Sequence, residues 1–187
     1  METGAIHMIR NGIDLDQLNE FSDQLISSPN AAAVCIQIHN RWQGGYAVTS
    51  STDSLIVGEA SVPRNHSVQL DLPAQLGGSD TGPTPNELML MALGSCVAHR
   101  FVEQAGVRGV NVSDFELTCE GHIDLRGALD VAGIRPGLSD VHVRLDVRSN
   151  ADDILLYELL AAAVHMSPIA DSLANVVEIQ ASVRPRV

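Results

Sequence analysis

An α+β fold is predicted by three features of the 187-residue sequence: strand-like runs follow one another directly, helices stand apart from them, and one nearly all-apolar helix lies mid-chain. Read along the chain, the order is helix, β-meander, helix, two strands, two helices and a strand, which opposes a doubly wound parallel sheet. No internal repeat or low-complexity tract interrupts it. With 45% of its residues hydrophobic, a chain of this length buries a core without disulfides or metal.

The first helix is expected over Asp14–Ile26. Asp14 can cap it, Gln17 sits at the capping-box position, and Leu15, Leu18, Phe21, Leu25 and Ile26 recur at helical spacing before Ser27, Ser28, Pro29 and Asn30 end it. Strand-forming residues between Gly, Asn, Asp and Pro then predict strands over Ala33–His39, Gly45–Ser50 and Ser67–Leu72. Residues 1–30 are accordingly read as an N-terminal helical extension and residues 31–187 as the main domain.

A central helix is expected from Asn86 to Ala105. Pro83 and Pro85 require extended chain or a first helical turn, so Thr84 or Pro85 heads the helix and Gly106 stops it. Leu88, Met89, Leu90, Met91, Ala92 and Leu93 follow with no polar break, which predicts burial all round. From Val112 to Leu125, Phe115, Leu117 and Cys119 alternate with Glu116, Thr118 and Glu120, the period of a half-buried strand. Val141, Val143, Leu145 and Val147 repeat the pattern inward, with His142, Arg144 and Asp146 outward. A further helix begins near Ala151, capped by Ser149 or Asn150, and buries Leu155, Leu156, Leu159, Leu160, Ala163 and Val164. A short helix over Ser167–Leu173 and a last strand over Val176–Val183 complete the chain.

Composition narrows the function classes. A net charge of -12 and a pI near 4.7 oppose long-range attraction to nucleic acid or anionic lipid, and 3% aromatic content leaves no platform for stacking bases. Cys35, Cys96 and Cys119 are odd in number and lack metal-ligand spacing, so neither a disulfide framework nor a metal site is expected. No cofactor motif is found. Without a secretory h-region or a membrane-length apolar segment, a reducing cytoplasm is the expected location.

The segment LGGSDTGPTPNELMLMALGSCVAHR carries the most information, because a Gly/Asp/Pro turn leads into an apolar helix with Cys96 on its third turn. Together with HSVQLDLP before it, and CEGHIDLRG, HMSPIADSL and VVEI after it, this block resembles the OsmC/Ohr superfamily over roughly Ala33–Val187. The resemblance implies an OsmC-like fold in residues 31–187, with antiparallel sheets packed around a long central helix. It further implies an intertwined homodimer with pockets at the dimer interface. Enzymes of that family reduce organic hydroperoxides with a peroxidatic cysteine, a resolving cysteine, and an arginine and glutamate that hold the first thiolate.

Only the peroxidatic position is matched directly, by Cys96. Ser167 precedes Pro168 where the family has its resolving cysteine. Asn86 follows Pro85 where the family has its glutamate, and the nearest carboxylate, Glu87, points about 100° away on a helix. No Arg or Lys lies between Arg64 and Arg100, which leaves Arg64 as the upstream candidate and Arg100 as the second.

The resemblance therefore implies a one-cysteine peroxidase: Cys96 attacks the hydroperoxide, Arg64 stabilises the thiolate, Glu87 orients that arginine, and an external thiol reduces the product. His66, Met91, His99, Arg100 and Ser167 are the candidate pocket residues for a small apolar hydroperoxide or other ligand. The alternative is a catalytically inactive dimeric binding protein using the same apolar interface pocket. The residues alone also admit plainer roles. Cys96 reads equally as a small buried hydrophobe, PRNH as an exposed connection between strands, Glu87 as dipole complementation, and Ser167 as a helix start. Asp71 and Asp80 fit a turn held by side-chain hydrogen bonds, His165 suits a helix C-terminus, and Cys35 and Cys119 are expected to point inward.

Overall fold

Asn11 and Gly12 adopt φ of 51° and 79°, the left-handed pair a two-residue hairpin needs, so β1 (Ile9–Arg10) folds back on β2 (Ile13–Asp14). The computed structural model describes residues 7–131 and 133–185. It is α+β, as the sequence predicts, and divides into two units, Met1–Met91 and Ala92–Val187.

In the first unit, α1 (Leu15–Ser27) starts on the expected cap: Asp14 Oδ1 accepts the N–H groups of Asp16 and Gln17 at 3.1 and 3.0 Å. A four-stranded antiparallel sheet follows, formed by β3 (Val34–Ile36), β4 (His39–Gly44), β5 (Ala47–Val57) and β6 (Ala60–Leu70). β6 pairs along the length of β5, whereas β3 and β4 meet opposite ends of it, at Leu55–Val57 and Ala47–Ser51.

Three expectations are corrected here. β4 is a separate strand, hidden in the sequence because HNRWQG neither alternates nor clusters β-branched residues. The PRNH segment lies within β6 rather than between strands. Thr52 faces His66 and Ser54 faces Pro63, so Asp53 alone opposes Arg64 and Asn65, a bulge on the edge strand that tolerates Pro63. Cys35 is exposed, because all three residues of β3 are.

One long helix, α2 (Pro85–Val107), contains the boundary between the units. The second unit adds β7 (Val112–His122), α3 (Leu125–Ala128), β8 (Asp140–Ser149), α4 (Asp153–His165) and α5 (Pro168–Ala174). β7 and β8 pair antiparallel, and the expected inward residues Leu117, Cys119, Val141, Val143, Leu145 and Val147 pack on the core. That core joins Leu93, Val97, Phe101 and Ala105 of α2 to Val110 and to Leu159 and Ala163 of α4. Phe101 meets Phe115 edge-on at 5.6 Å between ring centroids. A fully buried phenylalanine contributes about 1.5–3 kcal/mol by area alone, and its truncation costs about 3–5.

Burial of α2 differs from expectation. The buried side chains fall every fourth position from Leu93 to Ala105, a single stripe joined at its end by buried Gly106, while Met91 is 57% exposed. An unbroken apolar run states what a helix can bury, and the neighbouring residues Leu88, Met89, Leu90 and Ala92 are only partly covered. The cap of α4 is also corrected: Asp152 accepts the Leu155 N–H, while Asn150 and Ser149 accept from Asn111 and Ala151 instead.

Residues 176–185 form no strand. Val176, Ile179 and Val183 are at least 90% exposed, and no strand among the described residues supplies the ladder that apolar alternation alone cannot replace. Among the described residues no single helix is long and apolar enough to cross a membrane.

Candidate functional site around the Cys96 helix

The turn that introduces α2 is built on one buried carboxylate. Asp71, 2% exposed, accepts hydrogen bonds from the N–H groups of Leu72, Ser79 and Thr81 and from the Thr81 hydroxyl, at 2.8 to 3.2 Å. These bonds, led by that of Leu72, hold its carboxyl below the usual range despite the opposing effect of burial. The loop closes so tightly that a β-carbon on Gly78 would lie 1.8 Å from the Leu72 carbonyl oxygen, and one on Gly82 2.1 Å from that of Gln69. Asp71 therefore has the turn-holding role expected of it, while Asp80 contributes a residue at φ 57°.

Thr84 then caps α2 in a reciprocal box. Its hydroxyl accepts the Glu87 N–H at 3.2 Å, and Glu87 Oε2 accepts the Thr84 N–H at 2.7 Å. The backbone bond is the main reason that the Glu87 carboxyl sits below its ordinary value. The cap engages one carboxylate oxygen, Oε2, and Glu87 itself is exposed.

Cys96 lies nine residues further on and is half-buried. It is displaced by about 60–100° from the core stripe that contains Leu93 and Val97. Ala92, His99 and Arg100, at i−4, i+3 and i+4, share its flank. His99 is exposed, and Arg100 Nη1 pairs with Glu103 at 2.9 Å. The sequence signals Glu103 only through its i+3 spacing from Arg100.

The other candidates take separate places. Arg64 and His66 are exposed on β6, at and beside its bulge. Ser167 is 1% exposed and caps α5, its Oγ accepting the Ala170 N–H at 3.2 Å. Cys119 packs on the core beside α2, and burial raises its thiol pKa. All three cysteines are free.

The donor atoms of His7, Asp14 and Asp16 lie within 4.8 Å of one another and are the one metal-competent group among the described residues. Each is engaged within the protein. His7 Nδ1 pairs with Asp14 Oδ2 at 2.7 Å, Asp14 Oδ1 caps α1, and Asp16 Oδ2 accepts the Met8 N–H.

The turn, cap and cysteine helix lie largely within the part of the chain that matches a known family. The profile of the OsmC family, described as OsmC-like protein, matches residues 77–182, more than half of the chain. The chain belongs to the OsmC-like protein family. An OsmC-like protein from Mycoplasma pneumoniae superposes with a TM-score of 0.60 at 13% identity, covering 76% of this chain and 89% of that one. An OsmC-like protein of unknown function from Vibrio cholerae gives 0.56 at 15% identity, over 74% and 92%. An organic hydroperoxide resistance protein OsmC from Legionella pneumophila gives 0.51 at 17% identity, over 74% and 88%. At these identities the likeness establishes the OsmC fold. No curated protein matches this OsmC-like chain by sequence.

Proposed function

We propose that this OsmC-like chain reduces organic hydroperoxides through Cys96, with an external thiol as reductant. The observation that carries the reading is the position of Cys96: on the helix that the family block defines, half-buried and off the packed stripe, a thiol is sheltered yet reachable. The Cys96 thiolate attacks the terminal peroxide oxygen, the O–O bond breaks, and the alkoxide takes up a proton and leaves as the alcohol. Sulfur is oxidised by two electrons to the sulfenic acid. One external thiol condenses with it, releasing water, and a second restores the Cys96 thiol as a disulfide departs. Ser167 cannot form a disulfide, so an internal route through that position is closed.

Arg64 is the first choice for the cation supporting the thiolate, and Arg100, on the flank of Cys96, the second. Glu87 has one carboxylate oxygen outside its cap with which to orient an arginine. A homodimer working in the reducing cytoplasm completes the proposal, supported by the apolar α2 residues, Met91 among them, that one chain leaves uncovered. The engagement of Arg100 with Glu103 and of Glu87 with Thr84 favours a second reading, a dimeric binding protein without turnover.

Consumption of tert-butyl and cumene hydroperoxide by wild type, Cys96→Ser, Arg64→Ala and Arg100→Ala, each with a dithiol donor, separates the two. Turnover lost in Cys96→Ser and reduced at least about tenfold in one arginine variant supports the peroxidase. No consumption by the wild type with any donor, together with Cys96 alkylation that follows the pH profile of a free thiol, leaves the binding protein.

A further inference from the structure

In the connection from β7 to β8, residues 122–125 together with Ile134, Arg135, Gly137 and Ser139 line an open cavity of about 700 Å³, within the second unit and distinct from the flank of α2 that carries Cys96. Ile123, Leu125 and Ile134 give it apolar walls, and the charged groups around it are Asp124, His122 and Arg135.

These charges are unequally matched. Asp124 is bound by Arg126, whose Nη2 and Nε lie 2.6 and 3.0 Å from its two carboxylate oxygens. His122 Nδ1 lies 2.7 Å from Asp140 Oδ1. Arg135 has no carboxylate within ion-pair distance among the described residues, unlike Arg100, Arg108, Arg126 and Arg144.

Arg135 is nonetheless held in place. Its Nη1 donates to the Leu138 carbonyl at 2.6 Å, and the guanidinium lies over Gly137, where a β-carbon would stand 3.1 Å from Nη2. Nε and Nη2 have no acceptor among the described residues. Arg135 is exposed at the rim of this open cavity, and a guanidinium oriented there, with Nε and Nη2 facing solvent beside apolar side chains, matches a carboxylate in geometry and charge. The protein's net charge of -12 disfavours ligands carrying several negative charges.

We infer that this cavity binds an aliphatic monocarboxylate, its carboxylate accepting from Arg135 Nε and Nη2 and its chain lying along Ile123, Leu125 and Ile134. The site is independent of Cys96 chemistry, so Cys96→Ser binds the same ligand unchanged.

Octanoate and octan-1-ol titrated into the full chain, followed by calorimetry and amide chemical shifts, test the inference. Octanoate is expected to bind with shifts centred on residues 123–139, and octan-1-ol about tenfold or more weakly. Arg135→Gln lowers octanoate affinity by about tenfold or more, and Arg135→Lys by less, because a point charge remains without the fork. No octanoate binding at millimolar concentration, equal affinity for the alcohol, or unchanged affinity in a folded Arg135→Gln overturns it. Should Arg135→Gln disorder the loop, the acid and alcohol arms on the wild-type chain still decide.

Discussion

The thiol of Cys119 packs against the bare backbone of Gly94: a β-carbon there would lie 3.3 Å from Sγ and 3.5 Å from Leu117 Cδ2. The contact brings β7 onto α2 and explains why an apolar helix carries a glycine two residues before Cys96. At that position the missing side chain is what the neighbouring strand occupies.

Substitution at Gly94 separates propensity from packing. Alanine gains up to about 1 kcal/mol in helix propensity but asks the sulfur to shift by a few tenths of an ångström, so Gly94→Ala is expected within about 1 kcal/mol of wild type. Gly94→Val brings branched atoms to the same contact and should lose about 1–3 kcal/mol. Urea denaturation of the two variants measures the difference.

Glu87 has a capping role that a neutral amide can keep and a charge that it cannot. Because glutamine also closes a capping box, Glu87→Gln is expected to leave the melting temperature within a few degrees of wild type. Under the peroxidase reading the same change lowers hydroperoxide turnover several-fold, through the arginine that Glu87 orients. Thermal scans and peroxide assays on one preparation read both effects, and unchanged turnover removes Glu87 from the mechanism.

Thr52 is paired beside the β6 bulge, and its buried Oγ1 has no partner among the described residues. A buried hydroxyl left unpaired is destabilising. Replacing it by a methyl group of similar shape, in Thr52→Val, is expected to raise stability by about 1 kcal/mol, seen as a higher denaturation midpoint.

The β7–β8 pair should respond to pH through His122. Its pKa is raised, chiefly by the hydrogen bond to Asp140, then by the charge of Asp140 and more weakly by that of Glu120. A raised folded-state value means that the contribution is fully present below the unfolded value of about 6.5 and is lost as pH rises through the folded one. The melting-temperature gap between wild type and His122→Gln should therefore be widest near about pH 5.5 and close toward about pH 8.5. A gap that is constant across that range contradicts the assignment.

What the sequence determined by itself was local: the Asp14 cap, the proline-led start of α2, the alternation that turns Leu117 and Cys119 inward, and the OsmC family block around Cys96. Each depends on residues close together in the chain, where propensity, turn chemistry and period act directly. Tertiary structure decided the rest. It made HNRWQG a strand through pairing with β5, left residues 176–185 without a ladder, exposed Cys35, and limited α2 to one buried stripe. It also engaged Glu87 with Thr84, Arg100 with Glu103 and Ser167 with Ala170. Apolarity and charge fix what a side chain can do; its use depends on which atoms of distant segments arrive within reach.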